Sequence, residues 1–333
     1  MNRILITGAS GFIGKNLAVR LAQQNHALRC IYRRQHPPKE LTVLHSQDVE
    51  LVKSDITESQ NLPKITQNIN TLIHIAGKVG DWGTDAEFHQ SNVIGVRQLY
   101  QAAKDSGVQK IIHLSSVAVQ GFGPHQGSLE EGPRYAAVNP YQTSKYRGEQ
   151  EALKFQSKTM SVSVIRPGNV YGPGDKTTTY PLLEALEKRI IPTIDDGVHR
   201  TCPVYIDDVI DAILALMESE TAQGEVFNII GPESPSWKEY LQCMVDELGV
   251  SPPFWNIPSS WAMNIARILE RVYHRFNIPS APPLTIYRVA QLSHDYVFSS
   301  EKAHQCFGYT PHRGLKEGMK ATVQAYRWSQ RVE

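Results

Sequence analysis

The sequence predicts an α/β protein built on a doubly wound parallel sheet of about seven strands, with a smaller C-terminal lobe. Three observations support this fold class. Short apolar segments alternate with helical patterns, a glycine-rich turn joins the first apolar segment to a helix, and a Pro/Gly-rich stretch at 167–174 follows the sixth. From Gly231 onward the composition shifts to Trp, Pro and amphipathic helices, which predicts the second lobe.

Composition excludes several classes of function. The 333 residues are enough for one large α/β unit with an accessory lobe. With 34 basic and 33 acidic residues the net charge is +1, so no nucleic-acid partner is expected. The four cysteines are widely spaced and no H-E-x-x-H motif occurs, so neither a metal site nor a disulfide framework is predicted. Without a signal-peptide pattern or an apolar run of about 20 residues, a reducing, cytoplasmic location is expected.

The first strand, turn and helix come in the order that binds a dinucleotide. Residues 3–7 are a compact apolar segment, and a helical pattern through Leu17 and Leu21 follows the turn. The turn carries Gly8, Gly11 and Gly14. Glycines permit close backbone approach, and the helix N-terminus offers free N–H groups to a pyrophosphate. This stretch therefore predicts a Rossmann-type nucleotide site.

The next two strands carry groups suited to the adenosine half of a cofactor. Strand 28–32 ends in a tyrosine where a dinucleotide site usually has an acid, and Arg33 and Arg34 follow. Guanidinium groups suit a 2′-phosphate, so NADP(H) is favoured over NAD(H), with solvated surface charge as the alternative. In strand 51–56, Asp55 either accepts a hydrogen bond from the adenine amino group or forms a turn.

The fourth and fifth strands complete the cofactor side of the sheet. Strand 71–75 contains His74, predicted to be a core or supporting residue, and leads into Ala76 and Gly77, whose small side chains leave room for a cofactor. A long helix follows, and then strand 110–114. Ser115 and Ser116 come directly after this strand, at the edge of a parallel sheet where ligands bind.

Tyr141 and Lys145 are the candidate acid/base pair. They lie one helical turn apart, in a helix that Asn139 would cap and Pro140 would open. A neighbouring cation favours the phenolate and would bring the tyrosine pKa towards the range of a general acid/base. A serine beside this pair would donate a hydrogen bond to a carbonyl oxygen. The alternative is a surface helix on which Lys145 pairs with Glu149.

The remaining elements divide the chain. Residues 161–166 and 226–230 predict the sixth and seventh strands, and an apolar-striped helix begins at Asp207. We therefore assign residues 1–175 and 202–230 to a nucleotide-binding domain, and residues 176–201 and 231–333 to a substrate-binding lobe.

Two groups of apolar residues bear on the substrate. Aromatic residues predicted in loops would either line the mouth of the site for an apolar substrate or pack the interface between lobes. They are Trp82, Phe122, Tyr135 and Tyr180. Residues 261–276 form a helical apolar stripe with basic residues elsewhere on the helix. This helix would contact a membrane that supplies lipid substrates, or form ordinary core or a dimer seam.

Together these pieces resemble the extended short-chain dehydrogenase/reductase family, over nearly the whole chain. The matching pieces are the Gly8-x-x-Gly11-x-x-Gly14 turn, Asp55, His74-Ile-Ala-Gly77, Asn92, Ser115-Ser116, Tyr141-x-x-x-Lys145, Arg166-Pro-Gly-Asn-Val-Tyr-Gly-Pro-Gly174, Pro203-Val-Tyr-Ile-Asp-Asp-Val209 and Gly308-Tyr-Thr-Pro311. Residues 78–83 and 282–285 look most like the 3β-hydroxysteroid dehydrogenase-like branch. That branch includes sterol dehydrogenases and reductases of long-chain 3-oxo acids.

The resemblance implies hydride transfer between a nicotinamide and a carbonyl or secondary alcohol. Tyr141 would exchange the proton, Lys145 would lower its pKa and hold the nicotinamide ribose, and Ser116 would polarise the substrate oxygen. A homodimer is also expected. The cofactor-binding positions implied by the family, besides Tyr141 and Lys145, are Gly8, Ser10, Gly11, Phe12, Ile13, Gly14, Arg33, Arg34, Asp55, Ile56, Ala76, Gly77, Lys78, Pro167, Asn169 and Val170.

Two alternatives stay open. A nucleotide-sugar epimerase or dehydratase uses the same fold, the same Tyr and Lys and a bound NAD, and Asn169 lies where such enzymes have an asparagine. Thr201 lies where they carry an arginine for the diphosphate, although Arg200 is adjacent. The other alternative is a cofactor-binding sensor without turnover, against which the intact Ser116, Tyr141 and Lys145 argue.

Overall fold

A computed structural model describes residues 3–46 and 48–332 of the chain. The first part alternates strands and helices. In chain order its elements are β1 (Arg3–Thr7), α1 (Phe12–Gln23), β2 (Ala27–Tyr32), α2 (Lys39–Thr42), β3 (Val49–Lys53), α3 (Leu62–Thr66), β4 (Thr71–His74), α4 (Asp85–His89), α5 (Gly95–Asp105) and β5 (Lys110–Leu114). A π-helical turn, Gln90–Ile94, joins α4 to α5, so the two form the long helix that the sequence predicts.

The second part is richer in helices. Its elements are β6 (His125–Ser128), α6 (Pro140–Leu153), β7 (Ser161–Pro167), β8 (Asn169–Tyr171), α7 (Thr179–Glu187), β9 (Thr193–Ile194), β10 (Pro203–Tyr205), α8 (Ile206–Glu218), β11 (Val226–Ile229), α9 (Trp237–Leu248), β12 (Asn256–Ile257), α10 (Ser259–Arg275), α11 (Ile286–Leu292), β13 (Tyr296–Phe298), α12 (Glu301–Phe307) and α13 (Leu315–Val332).

One parallel sheet of seven strands forms the centre of the protein, in the order β11-β7-β5-β4-β1-β2-β3. Leu5 of β1 pairs with Arg29 of β2 on one side and with Leu72 of β4 on the other. The strand order therefore reverses between β1 and β4, and ligands of doubly wound sheets bind at such a switch point. The fold class and all seven predicted strands are confirmed, with ends that differ from prediction by at most two or three residues.

Short parallel strand pairs tie the sheet to the rest of the chain. β8 pairs with β10, β9 with β12, and β6 with β13. In the last pair, β6 lies in the connection between β5 and α6, where no strand was predicted. Instead, His125 and Gln126 pair with Tyr296 and Val297, which fixes this connection against the C-terminal segment.

The core does not separate at the predicted domain boundary. One cluster of buried apolar residues joins Ile6 of β1 to Leu183 of α7 and to Tyr326 of α13. A second cluster, with Leu5 and Leu99, fills the other face of the sheet. The division into two lobes therefore stays a prediction, and residues 1, 2, 47 and 333 of the predicted ranges lie outside the described residues.

Two properties of the described residues bear on function. Among residues 3–46 and 48–332, no helix combines the length and the hydropathy needed to cross a bilayer. The same part of the chain holds no group of three or more His, Cys, Asp or Glu side chains placed to bind a metal ion.

Candidate active site

Tyr141 lies in the first turn of α6, beside Ser116 at the carboxyl end of the sheet. Asn139 caps this helix, accepting a hydrogen bond at 3.0 Å from the N–H of Gln142, and Pro140 occupies the first helical position, as predicted. The hydroxyl of Ser116 is hydrogen-bonded to the Tyr141 phenol. Of the two neighbouring serines, Ser116 therefore faces the phenol, in agreement with its assignment from the sequence.

The pKa of Tyr141 differs from the sequence prediction. Burial raises it above its ordinary value, and the hydrogen bond from Ser116 offsets only part of that effect. The prediction of a lowered pKa relied on the charge of Lys145. In the structure, burial has the larger effect, so the phenol is protonated at neutral pH.

Lys145 lies below Tyr141 on the same face of α6. Its Nζ donates a hydrogen bond of 2.5 Å to the carbonyl oxygen of Leu114, the last residue of β5. Burial lowers its pKa to about 8. Lys145 does not form the predicted alternative ion pair with Glu149, because both carboxylate oxygens of Glu149 accept from Arg166, at 2.9 and 2.5 Å. The ammonium group is therefore held by the carbonyl at the end of β5 and not by the carboxylate of Glu149.

Asn92 connects the active-site elements, a role that the sequence analysis did not assign. It lies in the π-helical turn between α4 and α5, and such turns are frequent at functional sites. Its Oδ1 accepts from the N–H of Lys78 at 2.7 Å, while its Nδ2 donates to the Lys78 carbonyl and to Ser144, each at 2.9 Å. A Cβ atom at Gly148 of α6 would lie 2.1 Å from the Asn92 carbonyl oxygen, so α6 packs directly on this turn.

His74 is a buried supporting residue, as predicted. Thr7 Oγ1 accepts from the N–H groups of Ile75 and Ala76 at 3.2 Å, so its own proton points to His74 Nδ1, 2.8 Å away. This arrangement requires an unprotonated Nδ1. Burial and, to a smaller extent, the charge of Lys145 lower the pKa of His74 to about 3. The imidazole is therefore neutral in the folded protein.

We expect His74 to make the fold sensitive to acid. In the unfolded chain His74 takes up a proton below about pH 6.5, and in the folded chain it does not. The free energy of unfolding therefore falls as the pH decreases from about 6.5 towards 3, by up to a few kcal/mol (roughly). In His74→Gln, the Tm measured by differential scanning fluorimetry should fall less steeply between pH 7 and 4 than in wild type. The exposed His36 provides the control variant His36→Gln, which should keep the wild-type slope. Equal slopes in all three proteins would contradict this role.

The glycine turn between β1 and α1 fits a dinucleotide. A Cβ atom at Gly14 would lie 2.3 Å from the carbonyl oxygen of Gly8, and one at Gly8 would lie 2.7 Å from the backbone nitrogen of Ala76. Gly8 also has a φ of 71°, which favours glycine. Gly11, at the N-cap of α1, has no side-chain cap, so the N–H groups of that turn face outward. Ser10, Phe12 and Ile13 lie in the same turn, as predicted.

The predicted adenosine-side residues also meet. Arg33 Nη1 lies 3.4 Å from Asp55 Oδ2, and the Arg33 side chain is 76% exposed. Asp55 also accepts from the backbone and hydroxyl of Thr57 at 2.9 Å, so it forms the turn that was the alternative prediction. Arg34 is exposed and Ile56 is buried next to Asp55.

An aromatic cluster lies against the Tyr141 phenol. The Tyr287 ring, from α11, lies 6.1 Å from the Tyr141 ring and 4.9 Å from that of Phe122. Phe122 is buried and packs in turn on Tyr296, at 5.2 Å. Phe122 is thus connected to Tyr141 through the Tyr287 ring, and its role in binding the substrate stays a prediction. No local pattern marks Tyr287 as a site residue, because it approaches Tyr141 only through the fold.

The other aromatic residues singled out from the sequence lie elsewhere. Trp82 packs on His274 of α10, with ring centres 4.4 Å apart, and donates to the carbonyl of Ile278. Tyr180 was predicted in a loop at the mouth of the site, and this is wrong. It lies in α7 with its ring 5.2 Å from that of Tyr326, inside the main core cluster, because the helix turns it towards α13.

Asn169 lies at the carboxyl end of the sheet, but its amide is already engaged. Its Nδ2 donates to the Thr201 hydroxyl at 2.7 Å, and its Oδ1 accepts from Gln291 at 3.0 Å. The adjacent Arg200 points to Asp295, with 3.8 Å between the charged groups. Pro167 and Val170 flank Asn169 in β7 and β8.

Comparison with known proteins identifies the family. Residues 4–229, more than half of the chain, match the sequence profile of the NAD dependent epimerase/dehydratase family. The chain belongs to this family. Its extended short-chain dehydrogenase/reductase fold is the one that the resemblance implied, so that expectation is confirmed.

Several known proteins match along nearly the full length of the chain. A 2-alkyl-3-oxoalkanoate reductase of Stenotrophomonas maltophilia is 26% identical, covering 96% of this chain and 97% of the relative. Human sterol-4-alpha-carboxylate 3-dehydrogenase, decarboxylating, is 25% identical, covering 99% and 90%. The solved UDP-glucuronic acid 4-epimerase of Bacillus cereus with UDP-glucuronic acid and NAD is 23% identical, covers 98% and 99%, and superposes with a TM-score of 0.77. This last likeness shows the fold alone.

Membership of the epimerase/dehydratase family makes a nicotinamide dinucleotide the expected cofactor, and the described residues fit it. Gly8 and Gly14 leave no room for a Cβ atom, and the helix N-terminus that follows the turn offers backbone N–H groups for a pyrophosphate. Gly77 is also required, because a Cβ atom there would lie 2.9 Å from Asn92 Oδ1. Tyr141 and Lys145 lie beyond this turn along the same edge of the sheet.

Proposed function

We propose that this protein is an NAD(P)-dependent oxidoreductase that transfers a hydride between the nicotinamide and a ketone or secondary alcohol of an apolar substrate. The observation that carries the proposal is the position of Tyr141. Its phenol is hydrogen-bonded to Ser116, lies one helical turn from a buried ammonium group, and faces the aromatic cluster of Phe122, Tyr287 and Tyr296.

Each polar side chain has one task in this reaction. The cofactor supplies the hydride chemistry, and the protein places the substrate carbon next to it. In the direction of reduction, Tyr141 donates its proton to the carbonyl oxygen, and Ser116 donates a hydrogen bond to the same oxygen. Lys145 stabilises the phenolate that remains and binds the nicotinamide ribose. A protonated phenol, favoured by burial, is the form that reduction needs.

The apolar character of the substrate follows from what surrounds the phenol. Phe122, Tyr287 and Tyr296 belong to one cluster with buried apolar neighbours, and the Tyr287 ring of that cluster lies 6.1 Å from the Tyr141 ring. Two relatives have names that specify apolar ketone or sterol substrates, a 2-alkyl-3-oxoalkanoate and a sterol-4-alpha-carboxylate. The substrate class proposed is therefore a long-chain 3-oxo compound or a steroid-like ketone.

A nucleotide-sugar epimerase or dehydratase is the second candidate, since solved epimerases share the fold. Its diphosphate would need a cation near position 201. Thr201 instead bonds Asn169, and the neighbouring Arg200 is directed to Asp295. A shift of one residue would bring Arg200 to position 201. That shift would break the ion pair with Asp295 and the hydrogen bond that the N–H of Tyr296 donates to the Arg200 carbonyl. The geometry therefore favours the oxidoreductase.

A substrate screen tests this choice. Oxidation of NADPH and of NADH should be followed by the absorbance of the reduced nicotinamide at about 340 nm. The substrates to be tested are steroid ketones, long-chain 3-oxo acids and flavonoid-type ketones. UDP-sugars should be tested in parallel without added cofactor. We expect turnover of a ketone in the first set. Conversion of a UDP-sugar without added cofactor would reverse the ranking.

NADP(H) is the cofactor that we propose over NAD(H), because β2 ends in Tyr32, where a dinucleotide site usually has an acid for the ribose, and Arg33 and Arg34 follow directly. Replacing both by Ala should raise the Kd for NADPH by about 10- to 100-fold and leave that for NADH within about twofold. Fluorescence titration of both reduced cofactors measures this. Lys53 is exposed at the end of the neighbouring β3, and Lys53→Ala is the matched control. An equal loss for both cofactors would refute the assignment.

A further inference from the structure

Helix α10 exposes its apolar stripe instead of burying it. The buried residues of this helix are the small Ala262 and Ala266, which pack on Ile194 and Val289. The large apolar side chains of the stripe lie at intervals of three or four residues and are between 41% and 70% exposed. They are Trp261, Ile265, Ile268, Val272 and Phe276. Since these positions repeat with the helical period, they form one continuous apolar face, which we call the α10 stripe.

A row of arginines runs along one side of the α10 stripe. Arg267, Arg271 and Arg275 are spaced four residues apart, so they share a face of the helix. All three are exposed, and none forms an ion pair with a carboxylate within the part of the chain that the structure describes. Arg267 donates only to Asn264 of the same helix. The one acidic residue of the helix, Glu270, points inward and accepts from the N–H of Ile286.

The inner side of α10 reaches the candidate active site. Met263 packs against the cluster that contains Phe122 and Tyr296. Near the other end of the helix, Tyr273 and His274 contact the Trp82 ring, in the connection that follows β4 and Gly77. Helix α10 therefore lies between the aromatic cluster and the solvent, with the α10 stripe on the solvent side.

We propose that the α10 stripe docks the protein on an anionic lipid membrane. Trp261, Ile268 and Phe276 would enter the boundary between headgroups and acyl chains, and the arginine row would bind lipid phosphates, as in interfacial amphipathic helices. A second copy of the chain fits this face less well. An isologous contact would use the same surface twice and bring the arginines together with no acidic partner on that face.

Vesicle flotation tests the docking directly and does not depend on turnover, so it separates this proposal from the proposed function. The full chain should float with vesicles of phosphatidylglycerol and phosphatidylcholine at low salt, and much less with phosphatidylcholine alone or at high salt. The double variant Trp261→Ala/Ile268→Asp should lose flotation. Trp328 and Val43 are equally exposed on α13 and at residue 43, so Trp328→Ala/Val43→Asp is the matched control and should float like wild type.

Charge reversal gives a second test. Arg267→Glu/Arg271→Glu/Arg275→Glu should weaken partition to anionic vesicles by at least about 100-fold. The triple variant Lys104→Glu/Lys158→Glu/Lys320→Glu changes the net charge equally at exposed positions outside α10 and should have a much smaller effect. Absence of flotation with anionic vesicles, or equal losses in stripe and control variants, would overturn the proposal. A second result would also overturn it. If the protein binds no vesicles but self-associates, and Trp261→Ala/Ile268→Asp abolishes the self-association, the α10 stripe binds a second copy of the chain.

Discussion

Tyr141→Phe is expected to lower kcat for ketone reduction by about 10²- to 10⁴-fold while the Kd for NADPH stays within about threefold of wild type. The phenol is hydrogen-bonded to Ser116 and carries the proton proposed to pass to the substrate oxygen, and phenylalanine keeps the ring contacts with Phe88 and Tyr287. Steady-state NADPH oxidation with a ketone from the screen and fluorescence titration of NADPH measure the two quantities.

A second tyrosine of the same helix provides the control. Tyr146 stacks on the Arg134 guanidinium, 3.3 Å from its ring centre, and makes no contact with Ser116. Tyr146→Phe keeps that contact and should show wild-type kcat. If Tyr141→Phe matched wild type in turnover and in cellular assays, the enzyme hypothesis would fail and a cofactor-binding sensor would take its place.

Lys145→Met is expected to reduce kcat/KM for NADPH by about 100-fold or more, because it removes both the cation beside the phenol and the group proposed to bind the nicotinamide ribose. Unlike Tyr141→Phe, it should also weaken NADPH binding. Titration calorimetry and steady-state kinetics distinguish the two variants. Lys154, which directly follows α6, is exposed and pairs with Glu151, so Lys154→Met is the matched control and should leave both quantities unchanged.

The pH profile gives an independent test of Lys145. Its pKa of about 8 means that the buried side chain is protonated below about pH 8 and neutral above it. In wild type, kcat/KM for NADPH, which reports on the free enzyme, should therefore decrease as the pH rises through about 8. In Lys145→Met this decrease should be absent from the residual activity. A wild-type profile that is flat to about pH 9.5 would contradict the role of the ammonium group.

Local sequence signals predict the parts of the site that neighbouring residues build. Asn139, Pro140, Tyr141 and Lys145 lie within two helical turns, so capping preferences and helical period place them without knowledge of the fold. The glycine turn is equally local. Ser116 comes directly after an apolar strand, so its position at the sheet edge follows from the strand itself. For these residues, sequence and structure agree.

Contacts between distant segments were not predictable in this way. Tyr287 lies 146 positions after Tyr141 along the chain, and Gln291 lies 122 after its partner Asn169. Neither has a local pattern that indicates a site. Tyr180 was misplaced for the same reason, because the pairing of α7 with α13 decides which way its ring points. The pKa of Tyr141 depends on how completely those distant elements bury it.

Because residue 148 is a glycine, a main-chain contact there fixes the position of the reaction centre. At Gly148 the backbone of α6 rests on the main chain of the π-helical turn at Asn92, where a Cβ atom would overlap the carbonyl oxygen. The distance between α6 and the π-helical turn is thus fixed by contact between two main chains, and not by side chains that could repack. Repacking elsewhere in the core would leave the height of Tyr141 and Lys145 above the sheet unchanged. A single methyl group at position 148 would move Tyr141 and Lys145 together, away from the sheet.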